Sequence, residues 1–238
     1  MTKTSRPKPE NPSRIWLDRE TAAFGQSLPA GTRVLDAGSG DQRYRSNFAH
    51  CLYESADFEK VDKIYGDSTY TCDLAAIPVE DGRFDAVVFS QVMEHLPEPG
   101  QVLAELFRVM KPGARLFYSG PLWYEEHEVP YDYYRYTQYG LRHLFTKHGF
   151  DMTELRWMDG YMATVTHQLR RMLAYLPKTA EELGNTPNAI ALMHELEKFR
   201  PVAWEVVHLA SQSDIEARYT DRGFPVNYMA IVTKPATA

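Results

Sequence analysis

Residues 33–40 read RVLDAGSG and carry the strongest signal of the fold class. Its apolar pair is typical of the end of a buried strand, and Asp36 closes that strand or opens the turn after it. Gly38 and Gly40 let the chain turn sharply and approach a ligand closely, because glycine has no Cβ. A strand that leads into such a turn is typical of doubly wound α/β folds, which bind nucleotide-like cofactors at the carboxyl ends of their strands.

The same stretch fits a dinucleotide site poorly. The fingerprint G-x-G-x-x-G requires a third glycine three residues after the second, and Arg43 stands at that position. An oxidoreductase that uses NAD is therefore the weaker alternative. A strand with a glycine turn and no ligand also remains open at this point.

Composition limits the classes of protein and partner. The chain has 238 residues, enough for one large domain or a domain with an appended subdomain. No apolar run approaches the roughly 18 residues that a membrane-spanning helix needs. The formal net charge of −6 repels a phosphate backbone. We therefore expect a small-molecule partner, with neither nucleic acid nor membrane.

The N-terminus and the cysteines indicate the compartment. Residues 1–12 are polar and rich in proline, lack the apolar stretch of a secretory signal and are predicted to form a disordered arm. Cys51 and Cys72 do not make a disulfide framework, so a reducing cytoplasm is expected.

Strands and helices alternate along most of the chain. This order predicts a parallel sheet with helices on both faces. Strands are predicted at 33–36, 51–57, 69–72, 84–89, 114–119, 151–158 and 226–233. Helices are predicted at 13–27, 44–49, 99–110 and 138–147.

About sixty residues separate the last two predicted strands, too many for an ordinary connection. Helical spacing predicts helices at 161–175 and 188–211, the second kinked or split near Pro201. The predicted domains are the arm at 1–12, a cofactor-binding core at 13–160, a helical insert at 161–222, and the last strand and tail at 223–238. Core packing is the first interpretation of the apolar residues in the insert, and a lid or a homodimer surface is the alternative.

Acidic residues follow the later strands. Asp57 ends the second strand, 21 residues after Asp36, and its carboxylate can accept hydrogen bonds from both hydroxyls of a ribose. Asp73, followed by Leu74, comes after the third strand and can accept a hydrogen bond from an exocyclic amine such as that of adenine. Each acid alone could equally be a solvated loop residue. Their occurrence in this order after Asp36, Gly38 and Gly40 is what indicates a nucleotide-like site.

In that order these motifs resemble the class I S-adenosyl-L-methionine (SAM) methyltransferases. The matching stretches are 34–40, Asp57, 73–74, 84–88, 93–96 and 106–116, and residues 127–137 are similar to a branch of small-molecule bacterial methyltransferases. The resemblance covers about residues 30–160. It implies a Rossmann-like sheet of seven strands whose last strand is antiparallel, and SAM as the cofactor.

The resemblance also implies a role for each matched position. The glycine turn at 38–40 would lie against the methionine part of SAM. Asp57 would hold the ribose, and Asp73 and Leu74 would hold the adenine. The backbone carbonyl of Ser90, at the end of the fourth strand, would accept a hydrogen bond from the amino group.

The chain departs from the family pattern in two places. Gln42 and Arg43 follow the turn where many members have another glycine. This departure affects how closely the loop can approach the cofactor, but not whether the cofactor binds. In ubiquinone-type O-methyltransferases a Glu-x-x-Glu-His run can hold a divalent metal, whereas residues 91–95 read QVMEH. Because a carboxylate that a hard cation prefers is missing, no metal site is predicted.

Two histidines are the candidate general bases. An oxygen nucleophile usually needs a base for its proton, whereas an amine needs only to be neutral. His95 lies just past the fourth strand, where it could equally pack against the turn or cap it. His127 lies in the loop after the fifth strand, among glutamates that would raise its pKa if they are close.

The acceptor side is expected in the loop after the fifth strand. Trp123, Tyr131 and Tyr134 could stack on a flat acceptor or simply pack the loop. Arg135 could bind a carboxylate or phosphate, or form a salt bridge with Asp132. His167, in the insert, is a further candidate on this side.

Together the motifs predict SAM-dependent methyl transfer to a small molecule, at an oxygen nucleophile. The alternatives are methylation at nitrogen or carbon, and a protein of this fold that binds a partner without catalysis.

Overall fold

The computed structural model describes residues 10–236. Residues 1–9 of the predicted arm lie outside the described residues, and Pro12 already belongs to the first helix. The strands are β1 Arg33–Ala37, β2 Leu52–Asp57, β3 Tyr70–Thr71, β4 Phe84–Ser90, β5 Met110–Pro121, β6 Asp151–Trp157 and β7 Asn227–Thr233. The α-helices are α1 Pro12–Gln26, α2 Pro99–Val109, α3 Gln138–Lys147, α4 Tyr161–Tyr175 and α5 Pro187–Glu216.

The seven strands form one sheet in the order β3-β2-β1-β4-β5-β7-β6. Strands β1 to β5 are mutually parallel, and β7 is antiparallel to both β5 and β6. This arrangement confirms the predicted Rossmann-like fold with an antiparallel last strand. Strand order reverses between β1 and β4, and open α/β sheets bind ligands outside the carboxyl ends of their strands at such a point.

The core lies on both faces of the central strands. Strand β4 is buried on both faces, as expected for the centre of a parallel sheet. Helix α2 is amphipathic and buries Leu103 and Leu106 completely. The hydroxyl of Thr137 caps helix α3 by accepting a hydrogen bond from the Gly140 N–H at 3.2 Å. These contacts fix the strand ends from which the site is built.

Three predicted elements differ from the observed ones. Strand β5 begins at Met110, and Lys111-Pro112-Gly113 is a bulge within it, because the register passes from Phe84↔Met110 to Ala86↔Arg115. Residues 45–48 form a 3₁₀ turn where a short helix was predicted. Helix α5 continues through Pro201, so of the two predicted alternatives the split is wrong, and the kink stays a prediction. A proline removes one backbone donor, and the flanking turns of this long helix keep theirs.

The described residues divide into two compact units, 17–158 with 227–236 and 10–16 with 159–226. The described part of the second unit contains α4 and α5, and the predicted insert at 161–222 lies within it. Inside this unit the buried carboxylate of Asp214 accepts hydrogen bonds from the Trp16 indole N–H at 3.0 Å and the Gly160 N–H at 3.3 Å. None of the helices within residues 10–236 is both long enough and apolar enough to cross a bilayer.

Candidate functional site

A cleft of about 220 Å³ opens at the carboxyl ends of β1, β2 and β4. The predicted site residues that line it are Gly38, Asp57, Asp73, Leu74, His95 and Tyr131. Residues that the sequence analysis did not single out complete the wall: Phe58, Lys60, Lys63, Gln91, Val92, Leu96, Pro97, Glu128 and Tyr133.

The glycine turn is shaped by close backbone contacts. Gly38 has φ +78°, and a Cβ built on it would lie 2.3 Å from Cγ2 of Val92. Its N–H donates to the carbonyl of Ala56 at 2.8 Å, which ties the turn to β2. A side chain at position 38 would therefore displace Val92, which lines the cleft.

Asp57 is held by backbone donors on both carboxylate oxygens. Oδ2 accepts a hydrogen bond from the Gly40 N–H at 2.8 Å, and Oδ1 accepts one from the Glu59 N–H at 3.1 Å. Each carboxylate oxygen has a further lone pair. The side chain is therefore fixed in orientation and still able to accept hydrogen bonds from a ligand in the cleft.

Asp36 lies behind the turn and does not line the cleft. Its Oδ2 accepts a hydrogen bond from the Tyr53 hydroxyl at 2.6 Å. Burial raises the pKa of Asp36 to about 6; the Tyr53 hydrogen bond opposes this shift, and the negative charge of Asp57 adds to it. The Asp36 carboxyl therefore contacts Tyr53 of β2 rather than the cleft. Its predicted contact with a cofactor stays a prediction.

The part of the cleft wall formed by Phe58, Asp73 and Leu74 is apolar except for the Asp73 carboxylate. Leu74 is almost fully buried, and Asp73 Oδ1 accepts a hydrogen bond from the Ala75 N–H at 2.9 Å. The ring of Phe58 packs edge to face on Tyr131, with centroids 5.6 Å apart. The position of Phe58, directly after the acid that ends β2, was the available sequence signal for it.

Two imidazoles meet beside the cleft. The ring centroids of His95 and His127 are 4.7 Å apart. His95 Nδ1 lies 2.6 Å from the carbonyl oxygen of Tyr131, and His127 Nδ1 lies 3.4 Å from Asp132 Oδ2. Burial lowers the pKa of both histidines below its ordinary value. Both rings are therefore neutral at pH 7 and able to accept a proton.

Glu94 is fully buried next to this pair. Neither of its carboxylate oxygens has a hydrogen-bond partner within residues 10–236. Burial raises the pKa of Glu94 to about 8, against the opposing positive charge of Arg135. Its backbone carbonyl accepts hydrogen bonds from the N–H groups of Tyr133 at 2.8 Å and Tyr134 at 3.3 Å. In the sequence Glu94 stands out only as part of a motif, because the isolation of its carboxylate depends on how a distant loop folds.

Arg135 forms the salt bridge that the sequence analysis weighed as its alternative role. Its guanidinium donates two hydrogen bonds to the Asp132 carboxylate, at 2.6 and 2.7 Å. Although burial raises the pKa of Asp132, these hydrogen bonds lower it to about 2. Asp132 also accepts a hydrogen bond from the His127 backbone N–H at 2.8 Å, so the pair orders the loop around His127.

The remaining predicted residues lie away from the wall of the cleft. The Ser90 hydroxyl lies 2.8 Å from the Ser119 hydroxyl. Tyr134 donates its hydroxyl to the Pro97 carbonyl at 3.1 Å, and Trp123 is about half exposed. His167 belongs to helix α4 of the helical unit. The binding roles of these residues stay predictions.

The sheet order, with its switch point at the cleft, is that of the class I SAM-dependent methyltransferase fold. Residues 35–118 match the family model described as a methyltransferase domain. The resemblance predicted from the sequence is therefore confirmed.

Similar proteins carry the same fold. A ubiquinone biosynthesis O-methyltransferase of Xanthomonas oryzae is 32% identical over 103 residues, which are 38% of this chain and 43% of that protein. A putative sarcosine dimethylglycine methyltransferase of Galdieria sulphuraria has a TM-score of 0.56 at 15% identity, over 92% of its chain and 97% of this one. A didemethyltoxoflavin N1-methyltransferase of Burkholderia thailandensis, solved with S-adenosylhomocysteine (SAH), has a TM-score of 0.53 at 14% identity, over 78% of its chain and 92% of this one. The chain spans less than half the length of the Xanthomonas relative.

Proposed function

We propose that the cleft binds SAM and that the protein transfers the methyl group to a hydroxyl of a small-molecule acceptor. The observation that supports this most strongly is the Asp57 carboxylate, held at 2.8 Å by the N–H of the glycine turn at the switch point of the sheet. The match of residues 35–118 to a methyltransferase domain agrees with it.

The residues of the cleft fit the parts of SAM. Gly38 has no room for a Cβ because Val92 occupies that position, so the turn presents its backbone to the cleft, which suits the methionine part. Asp57 offers two carboxylate oxygens to the ribose hydroxyls, and Asp73 offers an acceptor to the amine of adenine. Phe58 and Leu74 supply apolar surface for the purine ring.

The chemistry assigned to the protein is alignment and removal of a proton. When bound, SAM supplies a methyl group on a cationic sulfur: the acceptor oxygen forms the new C–O bond as the C–S bond breaks, SAH leaves, and the hydroxyl proton passes to a base. The neutral pair of His95 and His127 offers that base, since His95 lines the cleft and His127 packs against it. An amine acceptor would need no such pair, which favours oxygen over nitrogen.

An exposed apolar stripe on α5 supports a homodimer as a further proposal. Leu192, Phe199, Val202, Val206 and Leu209 repeat with heptad spacing, and each is at least about two-fifths exposed. Sedimentation of the chain and of Val202→Lys tests this: a dimer that Val202→Lys converts to a monomer supports it, and a wild-type monomer contradicts it. The two free cysteines agree with a reducing cytoplasm, which we propose as the compartment.

The reaction itself is tested by incubating the chain with SAM and a panel of phenols, catechols and primary amines, and measuring SAH release. We expect SAH to appear with hydroxyl acceptors and a methyl ether in the product. SAH release with amines alone would contradict oxygen as the nucleophile, and SAM binding without turnover of any acceptor would favour a binding protein.

A further inference from the structure

The buried carboxylate of Glu94 has no protein group that satisfies it. Its side chain is 1% exposed, and both oxygens lack a hydrogen-bond partner within residues 10–236. Leaving a buried carboxylate unpaired costs several kcal/mol. Such a group persists in a folded protein when a cation or a proton occupies its oxygens, so the surroundings of Glu94 decide which of the two it is.

Two nitrogen ligands stand next to this carboxylate. One ligand atom each from Glu94, His95 and His127 lies within 4.8 Å of the others, and His95 Nε2 is 3.9 Å from Glu94 Oε1. Two ligands at about 2.1 Å from one tetrahedral ion stand about 3.4 Å apart. The widest pair would therefore close by about 1.4 Å when an ion binds.

Contacts at Nδ1 orient both imidazoles so that the other ring nitrogen, Nε2, is available to a metal ion. His95 directs Nδ1 at the Tyr131 carbonyl, 2.6 Å away, which leaves Nε2 on the side of Glu94. His127 has the Glu125 carbonyl oxygen 3.2 Å and Asp132 Oδ2 3.4 Å from Nδ1. Histidine ligands of metals characteristically use their second nitrogen for such a bond to a carbonyl or carboxylate.

We propose that Glu94, His95 and His127 bind one divalent transition-metal ion of the zinc type, with His127 as the third ligand where the chain has Gln91 instead of a carboxylate. Two imidazole nitrogens and one carboxylate oxygen favour zinc or cobalt over magnesium and calcium, which prefer all-oxygen sites. This differs from the prediction of no metal, because the third ligand comes from a loop 32 residues further along the chain.

The inference deepens the proposed function and rests on it, because the ion would stand beside the acceptor end of the same cleft. An ion there would supply positive charge that favours the deprotonated form of a hydroxyl next to it. With the ion bound, His95 and His127 would hold it and the hydroxyl proton would pass to solvent water; without the ion, the two imidazoles keep the role of base.

Calorimetry on the full chain, freed of metal by dialysis against a chelator, tests the site. We expect one equivalent of Zn²⁺ to bind the wild type and the control His143→Ala, whose exposed histidine lies on α3. Glu94→Gln and His127→Ala should each weaken Zn²⁺ binding by about 100-fold, and Mg²⁺ should give no comparable heat. Co²⁺ should give visible absorption bands in the wild type that both variants lose.

Two results would overturn the inference: Zn²⁺ affinity that His127→Ala leaves unchanged, or Mg²⁺ binding tighter than Zn²⁺. The position of His127 in a loop keeps its variant informative if Glu94→Gln does not fold. A separate titration of the same proteins with SAM distinguishes the two proposals. Wild-type protein that binds SAM without Zn²⁺ contradicts the metal site alone, and protein that binds Zn²⁺ without SAM contradicts the proposed function alone.

Discussion

The two halves of the cleft are built by different means. On the β1–β2 side, backbone N–H groups fix the one strong polar group, as in the bond from Gly40 to Asp57. On the side of the loop at 122–137, side-chain contacts add to the backbone hydrogen bonds, as in the pair of Asp132 and Arg135 and the contact of His95 with the Tyr131 carbonyl. The first half is rigid because the sheet sets it, whereas the second depends on the fold of one long loop. We therefore expect substitutions in the first half to change cofactor affinity and those in the second to change turnover.

The largest expected effect is on the glycine turn. Gly38→Ala places a Cβ 2.3 Å from Val92 Cγ2 at a φ of +78°, and we expect SAM affinity to fall by more than about 1000-fold. Gly31→Ala is the matched control, since φ there is +79° and nothing lies within 4 Å of its Cβ. It should cost only about 1–2 kcal/mol of stability and leave SAM binding unchanged. Equal SAM affinities of the two variants in calorimetry would show that the turn does not face the cofactor.

A loss in turnover is expected next, in the loop half. His127→Ala removes one imidazole of the pair and should lower kcat by about 100-fold, while SAM affinity stays within about twofold. Steady-state rates of SAH release and SAM calorimetry on the same preparation measure the two quantities. His143→Ala serves as the control. An unchanged rate in His127→Ala would remove this residue from the mechanism.

A substitution of Asp57, on the β1–β2 side, should have the opposite effect: a change in SAM affinity and none in kcat. Asp57→Ala would remove the charged hydrogen bonds that we propose to the ribose, worth about 2 kcal/mol, so SAM affinity should fall by about 30-fold. At saturating SAM, kcat should remain close to that of the wild type. Asp41→Ala, at an exposed carboxylate in the same turn, should change neither quantity. A lower kcat with intact affinity would reverse the assignment of the two halves.

The smallest expected effect is a pH-dependent change in the free energy of unfolding, caused by the buried carboxyl of Asp36. In the folded chain its pKa is raised to about 6, above the ordinary 3.8. The folded state therefore binds more protons between these values, and the contribution of Asp36 to stability falls as pH rises from about 4 to about 6. Asp36→Asn should abolish this loss and raise the free energy of unfolding by about 2 kcal/mol at pH 7, with less gain at pH 4.

Urea unfolding of both proteins at several pH values between 4 and 7 measures this difference. A gain that is the same at every pH would mean that Asp36 titrates alike in both states.

The strand half could be predicted because its signals are local. RVLDAGSG and the acid 21 residues later sit at the ends of adjacent strands, so spacing alone places Asp36, Gly38 and Asp57 at one edge. The bulge in β5 escaped prediction because Lys111-Pro112-Gly113 is typical of a helix end. The isolation of Glu94 also escaped, since its carbonyl is bound by the N–H of Tyr133 from 39 residues away. Such contacts depend on the tertiary fold, which no local pattern records.

One titration tests the central claim, that the edge formed by the glycine turn and Asp57 is a SAM site. Calorimetry of the wild-type chain with SAM, SAH and NAD, each repeated with Asp57→Ala, measures it directly. We predict saturable binding of SAM and SAH at one site per chain, weakened in the variant, and no heat with NAD. Binding of NAD with no heat from SAM or SAH would contradict the account.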